Sequence, residues 1–180
     1  IGQLAVKQKL TALVHSGKVP HALMFCGPEG NGSLALALAL SKYIQCENRS
    51  KTDSCGICPA CLKNEKFIHP DVHFTFPVVP QKSGEAPVST DYIAEWRSAI
   101  SANPYMSVNE WLQNIGAENR QGNITVRECH EIIRGLNMKT YESAYKIQII
   151  WLAEFLKEAG NTLLKRSEEH TSELQSHHDL

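Results

Sequence analysis

The sequence has no excess of charge of either sign. Against 18 Lys and Arg stand 19 Asp and Glu over 180 residues, a formal net charge of −1. Such a chain sets up no overall field toward nucleic acid or an anionic membrane, so any contact of that kind must come from a local patch. A long hydrophobic run is also missing. The longest largely apolar stretch, Ser33 to Ile44, is too short to cross a bilayer and is interrupted by Ser41 and Lys42. No internal repeat occurs, and no basic, apolar, small-residue signal pattern opens the chain. It begins at Ile1 instead of Met and is expected to be incomplete there. The composition, 42% hydrophobic and 21% charged, is that of a soluble globular protein. The length suits one domain, or one domain with insertions.

Cysteine is unevenly distributed. Four of the six lie between positions 46 and 61, as Cys46, Cys55, Cys58 and Cys61 in the spacing C-x8-C-x2-C-x2-C. Without a secretory pattern, this clustering favours a metal over a disulfide framework, and the expected compartment is cytoplasmic. Zinc takes four thiolates in a tetrahedron, and closely spaced C-x2-C pairs supply ligands from one tight turn. Gly56 and Pro59 suit such turns. Four cysteines leave no open position, so the expected role is structural. An iron–sulfur cluster uses the same ligands, and reduced surface thiols are the bland alternative. Cys26 and Cys129 fall in expected buried elements and read as small core residues. His69 and His73 read as loop and strand residues, although either could complete a metal site if a cysteine failed.

Hydrophobic spacing gives the coarse organisation. Gly2 to Ser16 predicts an amphipathic helix through Leu4, Leu10, Leu13 and Val14, ended by Gly17 and Pro20. Ala22–Cys26 predicts a short buried strand running into Gly27-Pro28-Glu29-Gly30-Asn31-Gly32, followed by a helix from Ser33 to about Cys46. Asp71–Phe76 predicts a second strand, and Val78–Pro87 an exposed loop. Helices are expected over Tyr92–Ala102 and Ser107–Ile115. Thr125 and Glu128 form an expected capping box for a helix that places Val126, Cys129, Ile133 and Leu136 on one face. Lys146–Trp151 predicts a third strand, and Leu152–Lys165 a final helix. Strand alternating with helix points to an α/β fold with a parallel sheet flanked by helices. Residues 166–180 lack apolar periodicity and resemble a translated sequencing adapter, so they are expected to be a non-native or disordered tail.

Gly27, Gly30 and Gly32 give the glycine frame of a phosphate loop, whose form is G-x-x-x-x-G-K-[ST] between a strand and a helix. Its working residues are missing. Ser33 stands where the lysine would neutralise the β/γ-phosphates, and Leu34 where a hydroxyl would hold Mg²⁺. Backbone amides at a helix start could still hold an anion. The third strand repeats the pattern: Trp151 and Leu152 follow it where an acidic residue would help bind Mg²⁺, and Glu154 comes too late. ATP hydrolysis is not expected, and ATP binding is doubtful.

Together these residues resemble a known family, the AAA+ clamp-loader subunits of bacterial DNA polymerase III. Lys18–Gly30 is similar to the family's N-terminal signature, and its δ′ and γ/τ subunits carry the same four-cysteine module after the phosphate-loop helix. His69-Pro70-Asp71, Lys146–Ile150 and Ala159–Lys165 are similar to further ordered segments, so the resemblance covers about residues 1–165. It implies a truncated P-loop NTPase/AAA+ domain over 1–165, with an inserted zinc module at 46–61 and a further insertion at 77–120. The departures at Ser33, Leu34, Trp151 and Leu152 resemble the non-hydrolysing δ′ type. That implies a passive ring subunit beside γ/τ and δ, acting on a sliding clamp and, through the complex, on primed DNA, with no membrane partner. An S-R-C arginine motif, which the family carries later in its fold, does not occur here. Two rivals stand beside this reading: an ATP-hydrolysing γ/τ-type subunit, and a zinc-dependent nucleic-acid-binding domain. Trp96, Tyr105 and Trp111 read as a small local core more than as a partner surface. Lys139, Tyr141, Tyr145 and Lys146 read as a solvated turn more than as a nucleic-acid patch.

Overall fold

The computed structural model describes residues 2–81 and 84–163. Helix α1 (Leu4–His15) ends at Ser16, and Gly17 follows in the left-handed region at φ 68°. It lays Leu10 and Val14 on helix α2 (Ser33–Gln45), against Leu36, Leu40, Tyr43 and Ile44. The Leu/Ala-rich sequence of α2 is strongly helix-forming. This helix is buried on several sides, as a helix packed between layers must be. Pro59 opens the short helix α3 (Pro59–Glu65), where its missing N–H costs nothing.

Strands β1 (Val72–Thr75) and β2 (Ile147–Ile150) pair in parallel, with Val72 opposite Ile147 and Thr75 opposite Ile150. They form the only named sheet among the described residues. The long connection between them contains helices α4 (Ile93–Ala102), α5 (Val108–Asn114) and α6 (Val126–Asn137). The main core sits here. Phe76 stacks on Trp96 at 4.1 Å, Trp111 meets Trp96 edge-on at 5.3 Å, and Trp151 tilts against Trp96 at 5.3 Å. Trp96 and Trp111 are fully buried, as a local core requires, whereas Tyr105 is 42% exposed.

Five expectations need correction. Ala22–Cys26 forms no strand, and Cys26 is exposed, with Met24 beside it 83% exposed. This segment and β2 line the same cavity of about 1050 Å3, and β2 pairs only with β1 among the described residues. A strand without a neighbour leaves its N–H and C=O groups to water. The span Val78–Pro87 is not exposed throughout: Val78 and Val79 are buried, and Val78 forms an antiparallel bridge with Asn123.

Helix α6 turns Glu128, Cys129 and Ile132 inward, leaving Val126 and Leu136 about half exposed. Its start is only half a capping box. Thr125 accepts the Glu128 N–H at 3.2 Å, but the Glu128 carboxylate reaches instead to the Thr75 hydroxyl and the Ser89 N–H, each at 2.7 Å. A buried carboxylate satisfies its oxygens where donors are fixed, and here those lie across the core. The two-way box forms at α5, between Ser107 and Glu110. Finally, Leu152–Lys165 is not one helix. Ala153–Ala159 is 3₁₀, broken at Lys157 (φ 46°, ψ −130°), and α-helical residues begin at 160. Leu164, Lys165 and the tail 166–180 lie outside the described residues.

Candidate functional site: a four-cysteine cluster and a glycine loop

Cys46 caps the C-terminus of α2, Cys55 precedes a turn at Gly56 (φ 75°), Cys58 is the N-cap of α3, and Cys61 sits in its first turn. The helix end and the knuckle therefore deliver the sulfurs together: all four lie within 4.8 Å of one another. A tetrahedral site with Zn–S bonds of ~2.3 Å spaces its sulfurs by ~3.8 Å, and Cys55 Sγ and Cys61 Sγ stand 4.0 Å apart. The cluster is free of disulfides and mostly buried, and it could hold a metal ion.

The local electrostatics treat the sulfurs differently. The Cys55 N–H donates to Cys46 Sγ at 3.2 Å, and the Cys58 N–H to Cys55 Sγ at 3.4 Å. Backbone donors from Ile57 and Cys58 lower the Cys55 thiol to about 6. Burial pushes the fully enclosed Cys61 up to about 12. A cation at the centre would offset that desolvation. The loop from 47 to 54 is fastened by its own groups. Ser50 Oγ accepts the amides of Thr52 and Asp53, and the Tyr43 hydroxyl donates to the Ser50 carbonyl at 2.7 Å.

At the other end of α2 the glycine loop leads into the helix through Gly32, its N-cap, at φ 85°. Ser33 is the first helical residue, and Leu34 is buried in the core, where it offers no oxygen to a metal. Asn31 Oδ1 accepts both the Ser33 N–H at 2.9 Å and the Ser33 hydroxyl at 2.5 Å. Trp151 packs on Trp96, and Leu152 takes a left-handed conformation at φ 59°. The positions singled out in the loop and after β2 line one cavity, while the cysteine cluster stands apart from it.

Two further clusters escaped sequence reasoning. The buried Asp71 carboxylate accepts the backbone N–H groups of Tyr141, Glu142 and Ser143 at 2.6, 2.9 and 3.0 Å. Burial opposes its charge, but these three amides outweigh it and hold the carboxyl below its ordinary value. His69 Nδ1 accepts the Asp71 N–H at 3.2 Å, so its proton lies on Nε2, facing Ser143 Oγ at 3.3 Å and Glu142 at 3.4 Å. That tautomer cannot take a proton from Ser143, so the cluster fixes a loop and builds no nucleophile. Lys146 Nζ donates to the carbonyls of Gly135, Met138 and Lys139, which makes the basic–aromatic stretch an ordered turn.

Comparison with known proteins adds the family context. The family model described as DNA polymerase III, delta subunit, matches residues 2–174. The chain is 33% identical over 88 residues to the DNA polymerase III subunit delta' of Escherichia coli K12, covering 49% of this chain and 25% of that protein. It is 31% identical over 80 residues to the delta' subunit of Yersinia pestis, covering 44% and 22%. With the gamma/tau subunit of Mycobacterium bovis it shares 31% identity over 62 residues, covering 34% and 11%. The chain thus spans a quarter or less of the length of these relatives. No helix among the described residues is long and apolar enough to cross a membrane.

Proposed function

The chain belongs to the family described as DNA polymerase III, delta subunit, and from that membership we propose that it is a non-hydrolysing, δ′-type subunit of a bacterial clamp loader. In this reading Gly27–Leu34 is a degenerate phosphate loop on an AAA+ domain that spans residues 1–165. Residues 77–120 are an insertion into that domain. One observation carries the reading: both places that would manage triphosphate charge and Mg²⁺ hold side chains unable to do so. Ser33 brings no charge, Leu34 is buried in the core, and Trp151 packs against Trp96.

The metal we assign to Cys46, Cys55, Cys58 and Cys61 is zinc in a structural role, since a closed set of four thiolates leaves no position for water. The proposed partners are γ/τ- and δ-type subunits, a sliding clamp and, through the assembled complex, primed DNA. The proposed location is cytoplasmic. The net charge of −1 and the engagement of Lys146 with backbone carbonyls weigh against direct DNA binding by this chain.

Two measurements test this on the full-length protein. Mg²⁺-dependent ATP hydrolysis by the isolated protein is expected to stay at background, and the protein is expected to co-purify with γ/τ-type subunits. Brisk turnover alone would move the assignment to an ATP-hydrolysing γ/τ type. A tight, steeply salt-dependent DNA affinity without co-purification would favour a zinc-dependent nucleic-acid-binding domain.

A further inference from the structure

We propose that the four-cysteine cluster is an oxidation-sensitive clasp, in which a peroxide enters at Cys55, a Cys55–Cys61 disulfide forms, and the metal is released together with the cluster's hold on helix α1. This rests on reading the cluster as a zinc site. It goes beyond that reading by assigning one of the four cysteines as the point of chemical modification.

The four sulfurs are alike as donors but not in access. Cys46, Cys58 and Cys61 are 3, 5 and 0% exposed, whereas Cys55 is half-buried. Backbone amides do not make that distinction, because the Cys46 and Cys55 sulfurs each accept one N–H, at 3.2 and 3.4 Å. An oxidant arriving from water therefore meets Cys55 first, since oxidation follows exposure as well as thiolate character. Cys61 Sγ stands 4.0 Å from Cys55 Sγ. Closing that gap by about 2 Å reaches disulfide bond length. Cys55 lies outside α3, in the turn before Gly56, so it is the partner with backbone room to move toward the helix-borne Cys61.

The Cys55 thiolate attacks one oxygen of hydrogen peroxide and breaks the O–O bond, giving a sulfenic acid and one hydroxide. The Cys61 thiolate then attacks the sulfenic sulfur, forms the S–S bond and expels the second hydroxide. Two thiolates have lost two electrons, the peroxide has gained them, and both hydroxides take protons from solvent to become water. Only Cys46 and Cys58 remain as donors, too few for a structural zinc site.

The loop from 47 to 54 is anchored at both ends by cluster cysteines, and it also fastens α1. The Ser50 carbonyl accepts the Tyr43 hydroxyl of α2 at 2.7 Å and lies 3.2 Å from Nε2 of His15, the last residue of α1. His15 Nε2 is also 2.8 Å from the Tyr43 hydroxyl. Arg49 ties the loop to the end of α2 through the carbonyls of Ile44 and Cys46. Once Cys55 is drawn to Cys61, the far end of this loop shifts and His15 loses a fixed partner.

The test uses the zinc-loaded full-length protein carrying Cys26→Ser, which removes an exposed thiol outside the cluster. Hydrogen peroxide is added, released zinc is read with a colorimetric chelator, and cross-links are mapped by peptide mass spectrometry. About one zinc per chain should be released, with Cys55–Cys61 as the first disulfide. Hydrogen exchange in the last turn of α1 should quicken as zinc leaves. Cys55→His keeps a zinc ligand but removes the entry thiol, so it should release zinc at least about tenfold more slowly than Cys58→His. A different first disulfide, equal release by the two histidine variants, or unchanged exchange in α1 would each overturn the inference. If a histidine variant fails to hold zinc, the cross-link map of the Cys26→Ser protein decides alone. Zinc that stays bound under peroxide would sink this inference and leave the metal assignment standing, whereas a protein with no zinc at the outset would sink both.

Discussion

Helix α2 runs between two sites that treat their centres in opposite ways. At its C-terminal end four sulfurs converge within 4.8 Å, each offered from a separate position of a turn or helix end. At its N-terminal end a glycine loop also converges, but on Asn31, a residue of the loop itself. The first site keeps a complete set of four sulfur donors, gathered at one point with no disulfide between them. At the second, the Asn31 carboxamide accepts the Ser33 amide and hydroxyl, and the Tyr105 ring packs over Gly32. Convergence of backbone therefore does not identify a ligand site. What counts is whether the protein has left the converging groups unsatisfied.

The sharpest way to break that contrast is at the cysteine end. Cys61→Ser, or a strong chelator on the wild type, should reduce bound zinc from one per chain to a small fraction. A structural zinc site contributes ~10 kcal/mol or more of apparent binding energy in small modules, so the thermal midpoint should fall by ~10 °C or more. Elemental analysis with a melting curve decides it. A full melting temperature without metal would reduce the cluster to ordinary thiols.

Trp96→Ala probes the other half. Trp96 joins Phe76, Trp111 and Trp151, and its loss should cost ~3–5 kcal/mol in chemical denaturation. Because the cysteine cluster lies outside this core, zinc content should be unchanged. Metal loss in that variant would show that the two ends are coupled.

A smaller effect is expected from Gly32→Ala. The position is left-handed at φ 85°, and the new methyl group would crowd Tyr105 at 3.0 Å. A loss of ~1–3 kcal/mol is expected, read from urea unfolding. Gly30→Ala has a similar φ of 76° but nothing within 4 Å, so it should cost less, and the difference measures the Tyr105 contact.

The smallest effect concerns acid. Asp71 is held below its ordinary value, so its unfolded form binds protons more readily than its folded form. Its contribution is present above about pH 4 and declines as pH falls through the folded value. Asp71→Asn should flatten that acid limb in a pH series of melting temperatures. An unchanged slope would mean that the amides of Tyr141, Glu142 and Ser143 do not hold the charge.

Local pattern was enough to read several parts of this protein. The cysteine spacing places ligands on one knuckle and one helix end because a turn and a cap are short-range objects. The apolar runs of α1, α2, β1 and β2 are likewise visible, since periodicity reflects which face is buried. That Ser33, Leu34, Trp151 and Leu152 carry no charge is also plain in the sequence. What the pattern could not supply was partners distant in sequence. Ala22–Cys26 has the composition of a strand, yet a strand exists only through hydrogen bonds to a neighbour, and none pairs with it among the described residues. Glu128 fits a capping box, but its carboxylate bonds Thr75 and Ser89, 53 and 39 residues away. The contacts of the glycine loop with Tyr105 and Val108 are likewise ones that only folding brings to Gly32 and Glu29. Sequence alone determined which groups could bind metal or phosphate. Tertiary structure decided which of them were left wanting a ligand, because satisfaction of a polar group depends on every neighbour within a few ångströms.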